Sequence, residues 1–427
     1  MKFKQRNKQN QQIERITPKH VVIGVDIAKE IHVARAVNYR GIEIGKPLKF
    51  ADSKEGFIRF QQWLEHLQSA HRLNNVLVGM EPTGHYWFHL ADWLLAESID
   101  VVLVNPATTK RNKENRDNSP SKSDMKDALV IADVVSRGYY TDLPRTPEVF
   151  QRLRVSMNYR EICMKDLVII KNRITRWLDV SFPEYTTVFK DWTVPRSLAT
   201  LQAFPLPRDI KNLDSEKMIA GWKPFMKRVG GSRALQKAAE LLAAARRSVG
   251  RTTCQEEERR QLANLVADYL RLEQRIEEMQ KELIKLLEEI PELTQRLRSI
   301  QGLGTICIAA LLAGTGNLET YTHGNQILSQ AGLNLAEKSS GKYQGQVKIT
   351  GRGRPQLRKH LYLGVISLVS QNPAFRAWHE HNVKQKKMKP MASIFKLIGK
   401  LCRIIVGLVR QERSFDPKAA NPAPLAA

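Results

Sequence analysis

From Val21 the apolar positions fall into short β-type runs, VVIGVDIAK, IHVARAV and IEIGKPLKF, separated by polar turns, and their spacing predicts a three-stranded meander. Phe57, Phe60, Trp63, Leu64 and Leu67 then recur at helical spacing, predicting an amphipathic helix from Ser53 to about Gln68. NNVLVGMEP follows as a fourth strand, HYWFHLADWLLAES as a helix and IDVVLVNP as a fifth strand. Strands this continuously apolar, alternating with helices, predict a largely parallel sheet covered on both faces. A polar segment at 108–124 reads as a mobile loop entering a helix from Lys122 to Ser136. Residues 21–145 thus form one expected α/β domain.

The pattern then turns helical. Residues 148–180 have helical spacing, and 185–250 hold shorter helices broken by Pro195, Pro205, Pro207 and the Gly230-Gly231 pair. Leu262, Leu265, Tyr269, Leu272, Ile276, Met279, Leu283, Leu286 and Ile290 alternate in steps of three and four, a heptad seam that Pro291 ends. Such a seam either zips two subunits together or packs within the chain against the 148–180 helix. SIQGLGTICIAALLAGTGN sets two glycine turns around an apolar helix, either a helix-hairpin-helix that approaches phosphate or a buried helix with glycine caps. The expected divisions are a basic flexible arm (1–20), the α/β domain (21–145), a helical linker with coiled coil (146–292), a mainly helical C-terminal domain (293–412) and a disordered tail (413–427).

Charge changes the picture. Among 427 residues, 68 Lys and Arg against 43 Asp and Glu leave a formal charge of +25, more than solubility requires, so a polyanionic partner is expected. The first twenty residues carry six basic groups and one acid with no apolar stretch, unlike a secretory signal. No apolar run is long enough to cross a bilayer, so no membrane association is expected. Cys163, Cys254, Cys307 and Cys402 lie too far apart for a CxxC zinc site or a dense disulfide framework, so a reducing, cytoplasmic location is expected. Within 341–360 there are six basic residues and no acid, broken by five glycines or prolines, as in a phosphate-contacting loop. Candidate nucleic-acid contacts are Lys110, Arg111, Lys113, Lys342, Lys348, Arg352, Arg354, Arg358 and Lys359.

Four acids stand out. Asp26 sits in an apolar strand, where a carboxylate must be paired, neutralised or bound to a cation. Glu81 ends the fourth strand, and acids at the ends of adjacent strands share the sheet edge where open α/β folds build sites. Asp124 and Asp127, in KSDMKDA, project from one face at a helix start, either as ligands or as acids complementing the helix dipole. Together the four suit two hard divalent cations.

In their order, GVDIAK, GMEPTGHY, SKSDMKDA and GLNLAEKSSGKYQGQVKITGRGRPQLRKHLY resemble the DEDD-type insertion-sequence transposases, over about residues 20–145 and 295–410. The resemblance implies an N-terminal ribonuclease-H-like (RuvC-like) domain of α/β fold, a helical middle and a C-terminal domain with a serine motif. It places a Mg²⁺-binding tetrad at Asp26, Glu81, Asp124 and Asp127, two ions per site. Ser340 becomes the nucleophile, with Ser339 its neighbouring alternative. Further implications are cutting and rejoining of element DNA in a prokaryotic nucleoid, a structured noncoding guide RNA as partner, and a homo-oligomer, dimer or tetramer. Two rival readings remain: a Holliday-junction-resolving nuclease using water, and a non-enzymatic nucleic-acid scaffold. Residues 185–250 match no motif of the family.

Overall fold

The computed structural model describes residues 9–113, 115, 123–143, 146–336, 339–340, 343–345 and 347–417; for Ser339, Ser340, Tyr343 and Gln344 it describes the backbone. The chain divides into two compact units, residues 1–145 and 146–427.

The first unit is built on a six-stranded sheet. Its strands are β1 (His20–Asp26), β2 (Ile31–Asn38), β3 (Glu43–Ala51), β4 (Asn75–Met80), β5 (Asp100–Leu103) and β6 (Thr141–Asp142), in the order β3-β2-β1-β4-β5-β6. Only β1, β4 and β5 run parallel; β2, β3 and β6 are antiparallel to their neighbours. This corrects the expected largely parallel sheet. The turn at residues 39–42 closes β2 onto β3 as a hairpin, which forces antiparallel pairing, whereas helical crossovers deliver β4 and β5.

Helix α1 (Lys54–His71) starts where the Ser53 hydroxyl accepts the Gly56 amide at 3.2 Å. With α2 (Trp87–Ala96) it covers one sheet face, packing Phe57, Phe60, Leu64, Leu90 and Leu94 on Val21, Ile23 and Val25. Helix α4 (Asp124–Ser136) covers the other, packing Val130, Ile131, Val134 and Val135 on Val22, Leu77 and Val102. Between β5 and α4, residues expected as loop form the short helix α3 (Pro106–Asn112), with Asn105 as cap and Pro106 at its first position. A mixed sheet flanked in this way is consistent with a ribonuclease-H-like fold. Within the expected N-terminal arm, residues 9–16 are attached to the unit: Arg15 pairs with Asp100 and Asp142, and Gln12 exchanges hydrogen bonds with Tyr140.

The second unit is helical. Helices α5 (Glu148–Ser181) and α9 (Gln255–Glu288) are its long elements, and α6 (Pro195–Ala203), α7 (Ser215–Trp222) and α8 (Ser232–Arg246) lie between them in sequence. The heptad seam packs inside the chain. Leu262, Leu265, Tyr269, Ile276 and Met279 share a core with Cys163, Leu167, Ile170, Ile174 and Trp177 of α5, joined by Trp222 and Leu241 of the intervening helices. Leu283 and Leu286 meet Phe150 and Leu153 in a second core, so the two helices run antiparallel.

That second core also takes α10 (Pro291–Arg298), α11 (Thr305–Thr315), α12 (Gly324–Gln330), α13 (Pro355–Gln371), α14 (Pro373–Glu380) and α15 (Pro390–Arg410). Helix α11 is the apolar helix between glycine turns. Ile308 to Gly314 are all buried, and Ser367 and Asn372 hold the preceding turn through the Gly302 and Gln301 carbonyls. Of the expected tail, Phe415 packs on this core and its amide donates to the Ser299 hydroxyl at 2.8 Å; residues 418–427 lie outside the described residues.

Ile276→Glu would place a carboxylate in the α5/α9 core at a 7% exposed position. The expected cost is ~3 kcal/mol or more of unfolding free energy in denaturant titration, with a loss of folded monomer rather than a clean halving of oligomer mass.

Candidate active site

Period-two alternation decides where the first two acids point. In β1, Val21, Ile23 and Val25 face α1, so Val22, Gly24 and Asp26 face α4. In β4, Val78 and Met80 face α1, and Leu77, Gly79 and then Glu81 continue the other face. The strands are parallel neighbours with Val22 beside Leu77, Gly24 beside Gly79 and Val25 beside Met80. Asp26 and Glu81 therefore emerge together at the carboxyl edge of the sheet, under α4.

The paired glycines bring α4 down onto them. A Cβ at Gly24 would overlap the Ala128 carbonyl oxygen and the Ala132 amide nitrogen, and one at Gly79 would overlap the Val135 side chain. The helix begins where the Ser123 hydroxyl accepts the Lys126 amide at 3.2 Å, placing Asp124 and Asp127 in the first turn. Asp127 is 8% exposed; Asp124 is exposed. Arg35, beside Gly24 on β2, donates to the Met125 carbonyl at 3.4 Å and pairs with Glu43.

The four carboxylates share one electrostatic neighbourhood. Burial, reinforced by repulsion from Asp127, Asp124 and Glu81, pushes the Asp26 carboxyl up to about 6 from an ordinary 3.8, with Lys113 opposing. Lys113 Nζ lies 2.7 Å from Asp127 Oδ2, while Asp127 Oδ1 is buried without a hydrogen-bond partner. Among the described residues, no three His, Cys, Asp or Glu side chains converge tightly enough to chelate a metal. The donor set nevertheless fits a hard divalent cation: it is all oxygen, it repels itself, and one buried oxygen is left unpartnered.

Behind the acids lies a feature that the motifs did not reveal. Buried His32 accepts the Ala28 amide at Nδ1, 3.3 Å away, which holds the turn following Asp26. The Nε2 proton this leaves faces Asp52 Oδ1 at 3.4 Å, and Asp52 Oδ2 meets His89 Nδ1 at 2.9 Å.

The other candidates separate. Lys110 and Arg111 are exposed on α3, as are Lys348 and Arg352 in the second unit. Arg354 donates to the Gly314 carbonyl, Arg358 to the Ala331 carbonyl at 2.7 Å, and Lys359 pairs with buried Glu161 at 2.7 Å. Ser339–Ser340 pair antiparallel with Tyr343–Gln344, Ser340 opposite Tyr343; Lys342 lies outside the described residues.

Comparison with known proteins decides the family. A transposase model of the IS110 DEDD type matches residues 23–183, and a model of the transposase IS116/IS110/IS902 family matches residues 294–380, together more than half of the chain. The chain belongs to the IS110-type DEDD transposases. The 44.8 kDa protein of insertion element IS116 from Streptomyces clavuligerus is 23% identical over 396 residues, spanning 92% of this chain and 96% of its own. A pilin gene-inverting protein from Moraxella bovis is 22% identical over 410 residues, 93% of this chain and 98% of its own. One from Moraxella lacunata is 29% identical over 112 residues, 26% and 32% of the respective lengths. The first family match contains all four acids of this transposase, and the second contains the serine motif.

Two outcomes test this site. Gly24→Ala is expected to lift α4, costing ~2–4 kcal/mol of stability by denaturant titration and any metal response with it, since neither overlapped atom belongs to a movable side-chain end. Asp26→Asn is expected to stabilise the metal-free transposase. A carboxyl whose folded pKa is raised opposes folding once ionised, so wild-type stability should rise as pH falls from about 6 towards 4. The variant should lack that rise and exceed wild type by ~1–2 kcal/mol at pH 8, the shift being discounted for solvent screening of a partly exposed carboxyl, and merge with it near pH 4. Equal melting curves at pH 8 would contradict the crowding of the four acids.

Proposed function

We propose that this transposase cuts and rejoins DNA at the carboxylate cluster of its first unit, with Asp26, Glu81, Asp124 and Asp127 holding up to two Mg²⁺ ions in a RuvC-like arrangement. The observation that carries the reading is that Asp26, Glu81, Asp124 and Asp127 share one electrostatic neighbourhood in a chain of net charge +25, where burial and then repulsion among them raise Asp26 to about 6. Bound divalent cations would polarise the scissile phosphate and stabilise its developing charge. The chain's own residues do the rest. Asp26 and Glu81 supply fixed oxygens from rigid strands, Asp127 adds one from α4, and Lys113 holds Asp127 in place. Exposed Lys110 and Arg111 on neighbouring α3 offer contacts to flanking phosphates.

We assign the nucleophile to Ser340. Its hydroxyl oxygen would bond to phosphorus, expelling one strand end as a free hydroxyl and losing its proton to a base at the site. A strand-end hydroxyl then attacks the phosphoserine ester and returns the serine, so no external nucleotide is needed. Folding or subunit pairing has to bring the serine loop and the carboxylates to one phosphate. The full-length likeness to a gene-inverting protein supports rejoining over simple hydrolysis, because inversion requires resealing as well as breakage. The family resemblance adds a structured guide RNA, for which backbone-directed Lys and Arg contacts are suited.

Asp26→Asn, Glu81→Gln, Asp124→Asn and Asp127→Asn are each expected to abolish strand cleavage while leaving duplex affinity within a few-fold of wild type. Ser340→Ala should bind DNA yet form no denaturant-stable adduct, and Ser339→Ala should retain partial activity. Peptide mapping of the adduct to Ser339 or Tyr343 would move the nucleophile. Undiminished cleavage by Ser340→Ala would favour a hydrolytic nuclease. Sequencing RNA that copurifies with the protein from its own locus tests the guide.

A further inference from the structure

The helical unit contains a charged cleft lined by no acid. It lies between α5 and the start of α13, has a volume of about 420 Å³, and presents Arg154, Asn158, Lys165, Arg354 and Gln356. Arg154 Nε donates to the Ala313 carbonyl at 3.0 Å, and Arg354 donates to the Gly314 carbonyl. These carbonyls belong to the last turn of α11, whose negative end attracts both guanidiniums. Each anchor uses one of five N–H groups, so both arginines keep donors for a ligand.

The arrangement is electrostatically incomplete. Burial holds both guanidiniums below their ordinary range, and Arg354 adds repulsion on Arg154. Elsewhere on these helices, Arg160 and Lys359 share the carboxylate of Glu161. Among the described residues no carboxylate does the same for Arg154, Lys165 or Arg354. Helix α13 also opens at this cleft with no side-chain cap; Pro355 carries no amide proton, and those of Gln356 and Leu357 lack an intrahelical partner. An anion would relieve the repulsion and satisfy the amides together.

We propose that this cleft is a phosphodiester site of the second unit, in which Arg154, Lys165 and Arg354 grip one backbone phosphate of a nucleic acid. The site rests on the reading above only for the identity of its ligand. Arg354 belongs to the basic stretch after the serine motif, whereas Arg154 and Lys165 come from α5 and are joined to it only by the fold.

The test uses the full chain, with Arg154→Gln, Arg354→Gln, Lys165→Gln and, as a control on α7, Lys217→Gln. Lys165 is exposed, so its variant is readable even where an arginine variant unfolds. Melting is compared in phosphate and in chloride at equal ionic strength. The affinities of labelled DNA and RNA duplexes of one sequence are measured against salt. Phosphate should stabilise wild type and the Lys217 variant more than chloride does, and the site variants should lose that difference. Each site variant should also weaken duplex binding irrespective of sequence and lower the salt slope by about one. The double arginine variant should lose less affinity than the product of the singles, since both face one phosphate. A change confined to the DNA arm assigns the phosphate to DNA, and one confined to the RNA arm assigns it to RNA. Unchanged affinity and slope in all three variants overturn the proposal, with or without phosphate stabilisation, and leave the arginines as helix caps. Wild type binding neither duplex would instead overturn the reading of function, while the phosphate comparison still reports on the cleft.

Discussion

The first unit depends on how closely α4 approaches the sheet. Two glycines side by side on β1 and β4 remove the side chains that would hold it away, and the helix backbone at Ala128 and Ala132 fills the space. A helix packed on a sheet normally rides on an intervening layer of side chains. Here that layer is missing under one turn, so the first-turn acids come within electrostatic reach of the acids at the strand ends. Packing sets the chemistry: the same contact that buries Ile131 and Val135 carries Asp127 to Asp26.

That proximity is unfavourable without a counterion. Burial and the three neighbouring carboxylates raise the charging cost of Asp26, and Lys113, a cation that touches the group among the described residues, is bound to Asp127. The surrounding structure has to outweigh this strain. Continuous burial of β1 and β4, the Ser123 cap, the tie from Arg35 to the first turn of α4, and the His32 bond to the Ala28 amide all restrain the segments bearing the acids. A site held in this way is preorganised for positive charge, and a bound cation would return the folding free energy that the crowding removes.

The second unit solves a different problem. Its long helices α5 and α9 each present one apolar seam too narrow to be stable alone, and they bury these seams against each other with the 185–250 segment wrapped around one end. The intervening segment, which matches no family motif, thus has a structural part to play: Tyr185, Trp222 and Leu241 complete the core that the heptads begin. At the other end, α11 is buried on all sides, and its exposed carbonyls are met by arginines from two separate segments.

Much of this was legible in the chain itself. Many strand and helix positions followed from period-two and period-3.6 burial, and Ser53 marks a helix start because cap chemistry is local. The acids were legible as types and as residues at strand ends. The glycine that precedes each by two residues, in VIGVD and LVGME, gained its meaning only from the fold. Only tertiary structure made the strands neighbours in register, turned both glycines towards α4 and set Lys113 on Asp127. It also decided that β6 runs antiparallel to β5, that the heptad seam closes within one chain, and that Arg154 and Lys165 meet Arg354. The division has a physical reason: periodicity and capping report what a segment buries and where it starts, because these depend on near neighbours in sequence. Which distant segment supplies the partner depends on the free energy of the whole packed chain, and no local pattern encodes it.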